Sequence, residues 1–567
     1  MSSTKRSPTR CQIFGLALLV LFTGTHSIAA PLSERPNILL IVADDLGYSD
    51  IGVFGGEINT PNLDALAGEG VALRRFHAAP NCGPSRASTL TGVDFHRAGI
   101  GGNVEIAASN QKGLPAYQGV LRDDVVTIPE LLRDAGYHTY MAGKWHMGKS
   151  PRNLPGGRGF ERSFALLNGG ASHWADQLAL VPNSKTTYTE NDVVVEKLPA
   201  DFYSTTYYTD QVIKFIESDL DDDAPFFAYL AFTAPHNPLH APDASIAKYK
   251  GAYAEGWDQL ARNRLARQFE LGLLDKRIEP ADRPDWVLAW DKLSSEQRAQ
   301  RARDMEVYAA MIDYMDESIG RLLSFLRSQG KYDNTMIVFM SDNGPSKTSI
   351  ADYLALGGAA EDFVKTFDNS LENKGRPGSS TDIGPGWAFA SATPLRLFKG
   401  YVTQGGIQVP AIIKPAGKPI SGGSLINTPL HVTDLMPTFL DLAEVTYPTK
   451  YNGAVTPEPV GQSLLPLMSA HGAEKFTRRG LGWEAYGMDA WLEGDLKLVR
   501  LPAPFGSGKW QLYDLRSDPG ERNDLAEKMP KVVANFETKW LDYARANEVV
   551  HPDQPVAYAK PVKPGKY

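Results

Sequence analysis

Short, unbroken apolar runs dominate the hydrophobic pattern of this chain, and each stops at a polar cluster. Asn37-Ile38-Leu39-Leu40-Ile41-Val42-Ala43 runs into Asp44-Asp45-Leu46-Gly47, and Tyr137 to Ala142 runs into Gly143-Lys144-Trp145-His146. Pro225 to Phe232 runs into Thr233-Ala234-Pro235-His236-Asn237-Pro238, and Thr335 to Met340 into Ser341-Asp342-Asn343-Gly344. Apolar residues at every position predict strands buried on both faces, as in a parallel sheet. Helices are predicted between them. One opens at Thr60-Pro61 and stops at Gly70, and one opens at Thr127-Ile128-Pro129-Glu130 and stops at Gly136. Others cover Tyr207–Ser218 and the long amphipathic stretch Asp304–Gln329. Val71 to Phe76 predicts a further strand. It leads to Asn81-Cys82-Gly83-Pro84-Ser85-Arg86, where Pro84 suits a first helical turn and Cys82 falls at or just before the helix start. Strand alternating with helix predicts an α/β fold with a mostly parallel sheet. Ligands of such sheets bind beyond the carboxyl ends of the strands, so the polar clusters would meet on one edge.

The remaining segments are less regular. Residues 241–303 are charged and Trp-containing with no strand pattern, and are read as an insertion. Residues 344–389, rich in Gly, Ser, Asn and Asp, predict a long loop facing the site. After Gln404-Gly405-Gly406 a strand is expected to about Lys414, then a helix over His431–Leu442. The Pro/Gly-rich stretch Pro448–Pro466 suggests a boundary, dividing a catalytic domain at 35–455 from a smaller subdomain at 456–567. The latter carries antiparallel strands at Asp495–Arg500 and Trp510–Leu515, a turn at Ser517–Glu521 and a helix over Lys531–Asn547.

Charge narrows the partners. The 567 residues hold 58 Lys plus Arg against 66 Asp plus Glu, a net charge of −8, so no basic field favours nucleic acid. An anionic ligand must be drawn by local cations. Lys5, Arg6 and Arg10, the apolar run Ile13–Phe22 and Ser27-Ile28-Ala29-Ala30 have the order of a signal peptide over residues 1–30. The run is short against the roughly 20 residues a membrane span takes. A periplasmic or secreted protein is expected, with no stable membrane insertion after cleavage. A retained anchor is the competing reading. Of the two cysteines, Cys11 lies in the leader, which leaves Cys82 as a single thiol with no internal disulfide partner. A lone cysteine is ordinarily a small buried hydrophobe. A helix start is also a place for an anion.

The clusters carry definite chemistry. Asp44, Asp45, Asp342 and Asn343 offer only oxygen, which suits calcium or magnesium rather than zinc. Separately, each pair is accounted for by capping or a turn. On one sheet edge together they favour a metal site. His146 and His236 would each pass for structural histidines, and Lys144 and Lys399 for surface lysines. Beside Arg86 they would form a cationic pocket for a tetrahedral oxyanion.

Cys82-Gly83-Pro84-Ser85-Arg86, followed by Ala87-Ser88-Thr89-Leu90-Thr91-Gly92, resembles the Cys-x-Pro-x-Arg signature of the type I, formylglycine-dependent sulfatases. Gly143-Lys144-Trp145-His146 is similar to the family's second motif, and Asp44-Asp45, His236, Asp342-Asn343-Gly344 and Lys399-Gly400 match its other positions in order and spacing. Gln404-Gly405-Gly406 suits the bacterial arylsulfatase branch, although many sulfatases carry an acidic residue where Gln404 stands. The resemblance implies an alkaline-phosphatase-like fold: a large, mostly parallel mixed sheet flanked by helices, and a smaller C-terminal α/β subdomain with an antiparallel sheet. It implies that a formylglycine-generating enzyme oxidises Cys82 to 3-oxoalanine. One Ca²⁺, in preference to Mg²⁺, would be held by Asp44, Asp45, Asp342, Asn343 and residue 82. The implied reaction is hydrolysis of a small-molecule or saccharide sulfate ester through a geminal diol and a sulfated enzyme. Asp342 would help activate the attacking hydroxyl, Arg86 and Lys144 would orient the diol, and His236 with Lys399 would serve the leaving oxygen. His146 would deprotonate the second hydroxyl. Competing readings are a formylglycine-dependent phosphonate or phosphate ester hydrolase, an inactive sugar-binding relative, and a zinc hydrolase, for which the ligand set lacks His/Cys character.

Overall fold

The computed structural model describes residues 1–3, 35–182, 184–348, 359–417, 423–468, 476 and 480–556. The leader expected at 1–30 lies outside the described residues, apart from 1–3. Among the described residues no helix is long and apolar enough to cross a membrane.

Among the described residues, ten strands form one mixed sheet. In spatial order they are β12 (Ser424–Ile426), β2 (Val71–Leu73), β11 (Ala411–Lys414), β9 (Thr335–Ser341), β1 (Asn37–Ala43), β8 (Phe226–Ala231), β4 (His138–Lys144), β5 (Arg162–Leu166), β6 (Tyr188–Glu190) and β7 (Val193–Val195). The central run β9-β1-β8-β4-β5 is parallel throughout, and β11 and β6 flank it antiparallel. The alternation of β1 shows why its sequence is apolar at every position. Leu39 and Ile41 enter the core on one face, while Ile38, Leu40 and Val42 enter the core on the other. Each such fully buried aliphatic side chain stabilises the fold by about 1.5–3 kcal/mol.

Helices cover both faces. On the Leu39 side lie α1 (Pro61–Glu69), α4 (Ser204–Glu217), α5 (Asp243–Lys248), α6 (Trp257–Glu270) and α7 (Ser295–Ser328). On the other lie α2 (Cys82–Thr91), α3 (Ile128–Asp134) and the helix Leu435–Leu442. A three-stranded sheet joins β10 (Gln408–Val409), β3 (Phe76–His77) and β13 (Leu430–His431), and a small hairpin joins β14 (Lys450–Tyr451) to β15 (Ala454–Val455). The C-terminal part is an antiparallel meander of β16 (Leu481–Ala485), β17 (Met488–Glu493), β18 (Leu496–Arg500) and β19 (Trp510–Asp514), covered by the helix Pro530–Ala546.

Several expected elements differ. The strand expected over Val71–Phe76 is two strands in two sheets. The chain breaks at Arg74-Arg75, where Arg75 turns to an ion pair with Asp495 on the C-terminal part. The long helix begins at Ser295, not Asp304, because Ser294 and Gln297 form a capping box. The segment 241–303 is helical over α5 and α6, and its Trp257 and Trp290 pack around Trp387 with ring centroids 5.5 and 5.4 Å away. Trp387 belongs to the helix Gly384–Ser391, which opens inside the stretch expected to be loop and runs past its end. Helix α4 starts earlier than Tyr207, β4 extends through Lys144, and His431 ends a strand rather than opening a helix. Strands β16 and β17 had no clear sequence pattern, since their buried positions include Glu484 and Asp489.

Glu484 explains one such charge. The imidazole of His96, in the loop after α2, lies 3.0 Å from both Asp94 Oδ1 and Glu484 Oε2, so it ties that loop to β16. Burial alone would lower its pKa, but hydrogen bonds and charges from Asp94 and Glu484 outweigh that and raise it to about 9. Raised above its unfolded value of about 6.5, this group stabilises the fold fully below that pH and loses the contribution as pH rises through about 9. Wild type should therefore exceed His96→Gln in stability by roughly 3 kcal/mol more at pH 6 than at pH 10. Denaturant melts across that range check this, and a pH-independent difference would refute it.

Candidate active site

The site begins with strand register. Ala43 pairs with Ser341, and Asp342 N donates to Ala43 O at 3.0 Å, so β1 and β9 deliver their terminal carboxylates side by side. Asp342 Oδ1 then accepts from Asp45 N at 3.2 Å. Asp45 (φ 66°) and His146 (φ 60°) both occupy the left-handed region, uncommon for residues with side chains and frequent at functional sites. The approach of β4 to β8 depends on Gly143, whose φ is +121°, because a Cβ there would lie 1.8 Å from Ala231 O.

Cys82 is the first residue of α2, after an extended Asn81. Its thiol donates to Asp44 Oδ1 at 3.2 Å, and Lys399 Nζ lies 3.1 Å from Sγ. Arg86, one turn on, grips Asp342 Oδ2 through Nε at 2.9 Å and Nη2 at 2.8 Å, and donates from Nη1 to Lys144 O at 2.9 Å. Lys144 Nζ donates to Asp44 Oδ2 at 2.6 Å. Lys399 Nζ reaches both oxygens of Asp45 at 2.6 and 2.8 Å. Asn343 Nδ2 donates to Asp45 Oδ1 at 2.6 Å. His236 Nδ1 donates to Asn237 O at 2.5 Å, which leaves Nε2 facing Asp45 Oδ2 at 3.6 Å. The structure thus brings together Asp44, Asp45, Cys82, Arg86, Lys144, His236, Asp342, Asn343 and Lys399. His146 joins them at the end of β4, partly open to solvent.

The three carboxylates and three cations are each no more than 4% exposed. Burial pushes the Cys82 thiol well up, reinforced by Asp342 and Asp44, so the sulfur is held neutral. Burial and Asp44 raise Asp342 to about 6. For Asp45 burial works upward, but Lys399, His236 and Lys144 outweigh it and keep the carboxylate ionised. Burial, with Lys144 and Arg86, drives His146 well below its usual value. Burial lowers His236 to about 3. Both imidazoles are therefore neutral proton acceptors in this state.

Groups able to hold a metal ion converge here, and they include a thiol and an imidazole besides the carboxylates. Ligand atoms of Asp44, Asp45, Cys82 and His236 lie within 4.8 Å of one another. Asn343 Oδ1 is buried and accepts no hydrogen bond among the described residues, as expected of an atom reserved for a cation. Sequence patterns had passed over one further contributor. β5 also ends at this edge, and the Gly169-Gly170 backbone that follows it packs against His146 and His236. Phe164-Ala165-Leu166-Leu167 before Asn168-Gly169-Gly170 repeats the signal of the other strands, an apolar run closing on a polar turn.

Comparison with known proteins agrees with this geometry. The family model described as Sulfatase matches residues 36–445. An uncharacterised sulfatase of Schizosaccharomyces pombe is 42% identical over 540 residues, covering 93% of this chain and 96% of its own. An arylsulfatase of Klebsiella aerogenes is 38% identical over 464 residues, covering 81% of this chain and 96% of its own. The crystal structure of Ps i-CgsB in complex with k-i-k-neocarrahexaose superposes with a TM-score of 0.66 at 24% identity, covering 92% of this chain and 95% of that one, and so shares the fold. With an alkaline-phosphatase-like architecture and a family match spanning its whole parallel sheet, this chain belongs to the sulfatase family and is a sulfuric ester hydrolase.

Proposed function

We propose that the protein is an exported arylsulfatase-type enzyme in which Cys82 is the precursor of formylglycine, acting with calcium on small-molecule or saccharide sulfate esters. The observation that carries this reading is the setting of the Cys82 sulfur. A cysteine nucleophile needs a positive environment to become thiolate. Here Lys399 Nζ lies 3.1 Å from the sulfur, yet the thiol donates to Asp44, and burial with Asp342 and Asp44 outweighs Lys144 and Lys399 and holds it neutral. The position suits a neutral oxygen nucleophile better than a thiolate.

Formylglycine at position 82 would supply a hydrated aldehyde, with one hydroxyl for attack on sulfur and a second to drive sulfate off by C–O cleavage. A divalent cation on Asp44, Asp45, Asp342 and Asn343 would supply positive charge to the sulfate oxygens. Beside that cation, Asp342 would help activate the attacking hydroxyl. Arg86 is immobilised by Asp342 and by the Lys144 carbonyl, so its guanidinium and the Lys144 ammonium orient the reacting groups without reorganising. Lys399 Nζ and His236 serve the departing oxygen. His236 is neutral in the free protein, and the negative charge of an arriving sulfate favours its protonated form. His146, kept unprotonated by burial and its cationic neighbours, accepts the proton from the second hydroxyl. Three carboxylates against Arg86, Lys144 and Lys399 leave the cluster near neutrality, so the added cation makes it positive towards an anionic ester.

Mass spectrometry of the Cys82 peptide from active protein should find the aldehyde, and an unmodified thiol in fully active protein would overturn the reading. Cys82→Ser should release one equivalent of phenol and then stall, and multiple turnovers at the wild-type rate would sink the mechanism. Chelation should abolish 4-nitrophenyl sulfate hydrolysis, with calcium restoring it better than zinc. Aryl sulfates should be cleaved faster than matched aryl phosphonate monoesters, and the reverse order would favour the phosphonate hydrolase alternative.

A further inference from the structure

After β5 the chain runs Leu167-Asn168-Gly169-Gly170-Ala171-Ser172-His173, and both ends of this segment are pinned. Asn168 Nδ2 donates to Lys185 O at 3.1 Å, and its Oδ1 accepts from Thr187 N at 2.8 Å. His173 Nε2 donates to the His236 carbonyl oxygen at 3.1 Å, while its Nδ1 accepts from Ser204 Oγ at 2.7 Å. Between these anchors the two glycines meet the two active-site imidazoles.

A Cβ at Gly169 would lie 2.8 Å from both Cε1 and Nε2 of His146. The ring has a second glycine near it, since a Cβ at Gly83 of α2 would lie 3.7 Å from His146 Nδ1. A Cβ at Gly170 would lie 3.2 Å from Cε1 and Nδ1 of His236 and 2.7 Å from Leu180 Cδ1. Neither Gly169 nor Gly170 is in the left-handed region that would require glycine for its backbone. Closeness to the imidazoles is what distinguishes these positions.

We propose that Gly169-Gly170 is a positioning wall for both proton-transfer histidines, Gly169 setting the His146 ring and Gly170 the His236 ring. Bareness at these positions serves the reaction rather than the fold. The proposal rests on the roles assigned above to His146 and His236. Comfortable carbon contacts are about 3.5–4.0 Å, so a methyl at 169 must swing the His146 ring by most of an ångström. A misplacement of about 1 Å can cost about 10²-fold in rate. At 170 the tighter overlap is with the end of Leu180, which can change rotamer, so the effect there is smaller.

The test compares Gly169→Ala and Gly170→Ala with His146→Ala and His236→Ala, each checked for Cys82 conversion by mass spectrometry, using 4-nitrophenyl sulfate and phenyl sulfate. Gly169→Ala should lower kcat about 10²-fold on both esters. It should show a burst of one 4-nitrophenol per enzyme, as His146→Ala does, and its crystal structure should show the His146 ring displaced. Gly170→Ala should show no burst and lose more on phenyl sulfate, the poorer leaving group, than on 4-nitrophenyl sulfate, following His236→Ala. Wild-type turnover by Gly169→Ala, or its crystal structure with His146 unmoved, overturns the proposal. If His146→Ala itself shows no burst, the assigned role of His146 fails instead, and the crystal structure alone decides the wall. Should Gly169→Ala not fold, the double variant Gly169→Ala/His146→Ala removes the clash. Its folding supports the proposal, and its failure to fold assigns the glycine to the fold and overturns it.

Discussion

Six charged side chains with almost no solvent around them set the terms for this structure. Asp44, Asp45 and Asp342 face Arg86, Lys144 and Lys399 in a cluster whose members are each no more than 4% exposed. Burying an unpaired charge costs several kcal/mol, and removing one partner of a buried pair typically costs about 3–5 kcal/mol. Each charge must therefore be met by a partner in the right place, and the partners come from β1, β4, β9, α2 and the segment after the helix Gly384–Ser391. That requirement fixes the register of the central strands as firmly as their apolar faces do.

The same cluster accounts for the local backbone. Asp45 and His146 are left-handed, and β4 can approach β8 only because Gly143 has no side chain. Unfavourable conformations persist where the surroundings over-determine them. Here the surroundings are a parallel sheet with core on both faces, so strain at the strand ends is held by packing further down the strands. The polar tips can then be rigid before a substrate arrives, which is what electrostatic catalysis asks of its donors.

Neutrality is the cluster's second property. Burial keeps the thiol neutral, burial together with the nearby cations keeps both imidazoles uncharged, and Arg86 is held as a fixed cation by the groups around it. Proton acceptors and fixed cations are thus separate residues within one small volume. A sulfate ester is an anion that must lose an oxygen leaving group, and it needs both kinds of group at once. The fold alone does not confer this, because function resides in the particular side chains of the site and not in the architecture that carries them.

The parallel strands, the helix opened by Pro61, the capped helix at Thr127 and the polar clusters closing the apolar runs were legible from local pattern, because periodicity and capping act within a few residues. The Thr60 hydroxyl instead accepts from Gly52 N, and the first N–H groups of α1 are met by the distant Asp316. What failed was decided at a distance. Arg75 broke one expected strand through a partner at Asp495, and Glu484 hid β16 because its buried charge answers His96. Trp257 and Trp290 became core through Trp387, more than ninety residues further along the chain. The fifth strand end went unnoticed because glycines carry no chemistry of their own, and only the imidazoles packed on them give them meaning. By itself the sequence determined which residue types stand at each strand end, and hence the available chemistry. Tertiary structure decided which of them touch, which nitrogen is free and which charges are paired, because those depend on burial and on contacts between residues far apart in the chain.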